Sequence, residues 1–305
     1  LAVGALLIWQ ISLSMKTPTT GMVGLLFYTT FPLLLTTLGS ETPLYLAFCL
    51  GAIAAYLKDH PGRSAVLSAL ACLARPDGIL VPFAILVHAF LNKRRCTWKA
   101  VFTFVLILAP WLLFAWYTFG SPIPLTLYAK QAQGTLAISK DFIGGFLALA
   151  QSYATQWQWL FKAILFLLGL IPLFLKAKSW SFLIAWTSLY FLGFTVLGVS
   201  AYFWYYAPLV PAFLIITGLG LESLIQKFRA ASPKIRPYAR LTALLLLSIL
   251  LIADINSLLI LRQKQDHRFG IYQSAGTWLQ QNTPENALTA ALEIVVLCEI
   301  EDFNR

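Results

Sequence analysis

Apolar runs of 15–22 residues recur along this chain, and short loops rich in Lys and Arg separate them. A hydrocarbon core about 30 Å thick needs about 20 residues of helix at 1.5 Å each. Runs of this length are membrane helices, not the alternating strands of about ten residues that build a barrel. Only 11% of the 305 residues are charged and 59% are hydrophobic. A soluble domain carries about 25% charged residues. The expected class is therefore an all-α integral membrane protein, a polytopic helical bundle.

Eight long spans are expected, over residues 1–14, 21–38, 44–57, 100–117, 157–175, 180–199, 210–224 and 241–261. A short helix pair occupies 64–91, and an amphipathic helix is expected over 141–151. Residues 1–262 form the transmembrane domain. Residues 263–305 are mixed and polar, with a helix-like YQSAGTWLQQN and a strand-like ALTAALEIVVL, and read as the start of a soluble α/β domain. Leu1 opens inside an apolar segment and the last residues follow an unclosed strand pattern. The chain is accordingly expected to be a fragment, truncated at both ends.

Net charge is +10, but the cations lie between spans, so topology explains them and nucleic acid is not implied. Because spans alternate sides, the loops fall into two sets. Residues 15–20, 58–63, 92–99, 176–179 and 225–240 hold 14 Lys and Arg, against 8 in the other set and the tail. The excess assigns the first set to the cytoplasm. Glu41, Arg75–Gly78, the loop at 119–130 and the loop at 200–208 then share the outer face. Parity holds only if the short pair at 64–91 crosses twice or dips and returns.

That pair is interrupted by Arg75-Pro76-Asp77-Gly78. Each charge costs about 2.5–3.5 kcal/mol at a helix centre in hydrocarbon. The tetrapeptide belongs at a membrane face or in a wet cavity, with Pro76 and Gly78 turning the chain. Glu41 and Asp77 are two carboxylates at the outer ends of neighbouring segments, suited to acid–base work if they converge. The plainer alternative is two solvated acids, or Asp77 as a partner for Arg75. Thr42 is placed to cap the next helix, with Pro43 at its first turn. Lys130, with Tyr128 nearby, is placed either to hold a phosphate together with Arg75 or to snorkel at the interface. Tyr205 and Tyr206 belong to an aromatic run, 202–206, that suits either sugar stacking or an interfacial belt. Asp254 lies in the outer half of the last span, where hydrogen bonds to Ser or Asn neighbours would satisfy it. His88 reads as a core or interfacial histidine. Four scattered Cys and three isolated His give no metal-site pattern and imply no cofactor.

Several stretches together resemble one family. Gly39-Ser-Glu-Thr-Pro-Leu-Tyr is similar to the GMETPLF-like stretch of multi-spanning bacterial glycosyltransferases of the C-type superfamily. Leu73-Ala-Arg-Pro-Asp-Gly resembles their LTRPDG turn, and Phe119-Gly-Ser-Pro-Ile-Pro-Leu-Thr-Leu-Tyr-Ala-Lys their YGSPLPNTFYAK loop. Tyr205-Tyr206-Ala-Pro-Leu-Val-Pro and Leu292-Glu293-Ile294 resemble a later helix start and a strand of the soluble domain. The chain departs at Leu125, where the related loop has Asn, and at Val295, where it has Gly.

The resemblance implies an inverting transferase in a bacterial plasma membrane, active on the extracytoplasmic face. It would pass a sugar from a polyprenyl-phosphate donor to a glycan, lipid or protein acceptor of the cell envelope. In such enzymes an acid in the first outer loop is the base, and here that loop would precede Leu1. Arg75, Lys130 and Tyr128 would hold the donor phosphate and Asp77 would orient Arg75. Glu41 would shape the donor or acceptor site, and Tyr205 and Tyr206 would line the cavity. Two other readings remain: a flippase or transporter of lipid-linked sugars, and a non-catalytic subunit of an envelope complex.

Overall fold

A computed structural model describes residues 1–94, 97–122, 140–231, 236–263 and 267–284. Among them the chain is helical, apart from one isolated antiparallel bridge between Asp141 and Ser200. The helices are α1 (Ala2–Ser14), α2 (Pro18–Phe27), the single turn α3 (Pro32–Leu35), α4 (Thr42–Leu57), α5 (Pro61–Ala74), α6 (Leu80–Leu91) and α7 (Trp98–Phe119). They continue with α8 (Phe142–Ala154), α9 (Trp157–Leu175), α10 (Ser181–Leu197), α11 (Val210–Ala231), α12 (Arg236–Gln263) and α13 (His267–Asn282). Two compact units divide the chain, Leu1–Ile255 and Asn256–Arg305, with the division inside the continuous helix α12.

Among the described residues, four helical segments are long and apolar enough to cross a membrane: Trp98–Phe119, Trp157–Leu175, Phe203–Ala230 and Leu241–Ile260. This corrects the expectation of eight long spans. Proline fixes where several of the shorter helices begin. Pro18, Pro32, Pro43 and Pro61 each sit in the first turn of a helix, where a missing N–H costs nothing, and each fixes a start. The run expected as one span over 21–38 is broken by Phe31, held extended before Pro32. Helix α4 has 16 residues and α10 has 17. The tail is described only in part. Its described part holds the helix α13 and no strand, and residues 287–297, where the strand was expected, lie outside the described residues.

Helix α11 is the axis of the first unit. It packs most extensively on α9 and then on α2. Gly218 and Gly220 explain how. Two positions along a helix are about 200° apart, so these glycines face opposite neighbours. A Cβ on Gly218 would lie 2.6 Å from Thr20 Cα of α2. A Cβ on Gly220 would strike the Leu165 carbonyl of α9, and one on Gly169 of α9 would strike the Ile216 carbonyl of α11. Small residues let these backbones touch, the usual way helices associate where water supplies no driving force. Helix α7 is the opposite case. Only Ala115 of its residues is buried, and Trp116, Leu113 and Phe102 face outward, as they would toward lipid.

The helix ends sort onto two faces. At one face, Lys58 donates to Gln10, Arg94 pairs with Asp59, Asn92 donates to the Lys178 carbonyl, and the Thr19 amide donates to Glu222. At the other, the start of α4 meets the turn after α5 and the residues before α11. Segments 15–20, 58–63, 92–94 and 176–180 therefore share an end, and α5 and α6 run out and back between the two ends.

Candidate functional site

The site is built where α5 stops. Arg75 follows α5 in an extended conformation, φ −151° and ψ 137°, as the residue before proline prefers. Residues Pro76–Ile79 form a 3-10 turn that leads into α6. The Gly78 amide donates to the Arg75 carbonyl at 2.9 Å. A Cβ at Gly78 would lie 2.5 Å from the Ala71 carbonyl oxygen and 2.6 Å from the Cys72 nitrogen, so the turn can close only with glycine.

This geometry folds Arg75 inward, where it is only 6% exposed. Its Nε and Nη2 donate to the two oxygens of Asp77, each at 3.0 Å. That two-pronged arrangement matches guanidinium to carboxylate and is stronger than a single contact. Nη1 donates to Thr42 Oγ1 at 3.3 Å and lies 3.7 Å from Glu41 Oε1. The guanidinium carbon also lies 5.0 Å from the Tyr45 ring centre and 5.9 Å from that of Tyr205, within cation–π range. Burying an arginine costs several kcal/mol unless its charge and N–H groups are answered. Here two carboxylates, one hydroxyl and two rings answer them.

Glu41 differs from the rest. Its side chain is 53% exposed, against 12% for Asp77. It is the accessible carboxylate of the cluster, 3.7 Å from a guanidinium that Asp77 holds on its other edge. Thr42 does not cap α4 as expected. Its own amide donates to Ser40 Oγ, and its hydroxyl accepts from Arg75.

The structure thus brings Glu41, Arg75, Asp77 and Tyr205 together. Tyr206, expected beside Tyr205, turns away: its hydroxyl donates to the Phe142 carbonyl at 2.8 Å and its ring lies 4.9 Å from Phe142. It lines a separate apolar pocket of about 220 Å³ with Phe31, Tyr153, Trp159 and Phe213. Consecutive residues in a 3-10 turn point about 120° apart, which separates the two tyrosines. Lys130 and Tyr128 lie outside the described residues.

Sequence reasoning missed one ionic site. Lys162 of α9 and Asp254 of α12 form a salt bridge in which both side chains are almost fully buried. Lys162 Nζ also lies 4.0 Å from the Trp159 ring centre and 4.7 Å from that of Phe27. Asp254 therefore does not depend on Ser or Asn neighbours, as expected, but on a lysine 92 positions away. The signal available was that both are charges inside long apolar runs, which rarely stand alone. His88 is a core histidine, bonded to the Tyr56 hydroxyl at 2.9 Å and the Ser179 carbonyl at 3.1 Å.

Compared with protein-family models, with curated proteins and with solved structures, the chain matches none.

Proposed function

We propose that this chain is the membrane-embedded part of a glycosyltransferase that moves a sugar from a polyprenyl-phosphate donor to an acceptor of the cell envelope. The observation that carries the reading is an exposed carboxylate, Glu41, held 3.7 Å from a buried arginine that Asp77 grips on its other edge, at one end of a helical bundle. The motif resemblance falls on the same residues. In this reading Glu41 faces the acceptor hydroxyl and accepts its proton as the oxygen attacks the sugar C1. The C1–O bond to phosphate breaks, and the departing polyprenyl phosphate keeps the electron pair, with inversion at C1.

Arg75 takes a narrower role here than phosphate binding. Asp77 holds its Nε and Nη2 edge and Thr42 reaches Nη1. Arg75 fixes Glu41, and the donor phosphate falls to Lys130 and Tyr128. The test is transfer in membranes holding the protein at its native length, incubated with radiolabelled polyprenyl-phosphate sugars. Label should reach a polar acceptor in wild type and not in Glu41→Gln. Absence of transfer from every donor, or equal transfer by the variant, overturns the reading.

A second reading is favoured by the Lys162–Asp254 pair. Ionisable residues inside a membrane often mark a translocation path, which would suit a transporter of lipid-linked sugars. It requires labelled lipid to change leaflet in reconstituted vesicles without any transfer.

A further inference from the structure

The face opposite Arg75 carries a second polar site. Residues 14–17, 88–94 and 172–180 and the later turns of α11 line a pocket of about 400 Å³. That is the size of a small-molecule site. Three cations from three separate loops line it: Lys16, Arg94 and Lys176. Neither Lys16 nor Lys176 forms an ion pair among the described residues. Arg94 pairs at the surface with Asp59 at 3.1 Å, and its guanidinium lies 5.4 Å from the Tyr56 ring centre. An exposed pair of that kind contributes about 0–1 kcal/mol, so Arg94 can be redirected at little cost.

The pocket's one carboxylate is already engaged. Glu222 accepts from the Thr19 amide at 3.2 Å and from Gln226 at 3.3 Å. The lining therefore sets three cations against one carboxylate. Its shape is also built in advance. His88 Nε2 bonds the Ser179 carbonyl at 3.1 Å, and Asn92 Nδ2 donates to the Lys178 carbonyl at 2.8 Å. These two contacts fasten the end of α6 to the turn that carries Lys176. A surface that only marked topology would need neither a concavity nor that fastening.

We propose that this pocket binds a phosphate group, held by Lys16, Arg94 and Lys176. The phosphate can belong to an anionic lipid headgroup or to a soluble phosphate compound; basic pockets between membrane helices take the former readily. The site lies about 20 Å from Arg75, one length of α5, and is independent of the transfer reaction proposed above.

The experiment is thermal unfolding of the full chain in a neutral detergent, followed by tryptophan fluorescence. Dihexanoyl phosphatidate supplies the headgroup, inorganic pyrophosphate the soluble anion, and dihexanoyl phosphatidylcholine the control. A bound phosphate should raise Tm saturably, by about 5 °C at a hundredfold excess over Kd. Lys16→Gln/Lys176→Gln should shift half-saturation at least tenfold, while Lys99→Gln, outside the pocket, should leave it unchanged. A response to phosphatidate alone assigns a lipid headgroup, and a response to pyrophosphate alone or to both assigns a site for phosphate itself. No saturable shift from either anion, or equal weakening by Lys99→Gln, overturns the proposal.

Discussion

Lys162 Nζ lies 2.5 Å from Asp254 Oδ2, and Oδ1 of the same carboxylate has no hydrogen-bond partner among the described residues. This pair fastens α12 to α9 through a layer where water cannot substitute for either partner. Removing one charge strands the other, at a cost of about 3–5 kcal/mol. Asp254→Leu and Lys162→Met should each destabilise the protein by about that much. The double variant should recover most of the loss, since an apolar pair of similar volume strands nothing. Denaturant or thermal unfolding in detergent, arranged as a double-mutant cycle, measures the coupling.

Gly78→Ala should lower stability by about 1–3 kcal/mol, because its methyl group meets backbone that cannot rotate aside. The damage should be local. Arg75 would be pushed off Asp77, so activity in the transfer assay should fall further than the unfolding midpoint suggests. A variant with full activity and normal stability would mean that the turn is looser than its geometry implies.

Contact between α9 and α11 depends on Gly169 and Gly220. Gly220→Val should drive the two backbones apart and prevent a stable fold, whereas Gly193→Val, at a site open to its surroundings, should be tolerated. Limited proteolysis of the two proteins in detergent separates these outcomes.

Three helices end at the basic face with a non-glycine residue in the left-handed region: Lys16 at φ 58°, Asp59 at 59° and Lys93 at 53°. After each, an amide reaches back to a carbonyl five residues earlier: Thr17 to Ser12, His60 to Ala55, and Arg94 to Ala89. Glycine is the residue that adopts this end without steric cost. Lys93→Gly should therefore stabilise the protein by up to about 1 kcal/mol, a rise in unfolding midpoint that the same fluorescence measurement detects.

What could be foreseen from the residues depended on whether the cause was local. The Arg75–Gly78 turn was legible because Pro76 and Gly78 act on their own backbone, and because two charges within apolar sequence had to leave it. The two-faced sorting of loops was legible from the placement of Lys and Arg. The Lys162–Asp254 pair and the Thr19–Glu222 bond were not, since 92 and 203 positions separate the partners and no local pattern encodes which charges meet. The run at 21–38 was read as one span because hydropathy does not register that Pro32 starts a new helix within it. Thr42 was read as a cap from its own neighbourhood, yet its hydroxyl serves an arginine 33 positions away.

Helices α5 and α6, of 14 and 12 residues, reach only about 21 and 18 Å. A bilayer meeting them can thin or dimple there, at a modest elastic cost for each ångström of mismatch. Headgroups and water would descend into that dent toward Glu41, so an amphiphile could present its polar end to the carboxylate while its tail stayed in oil. Thicker bilayers would resist the deformation, and the protein's preference among membranes would follow from two helices that are too short for most of them.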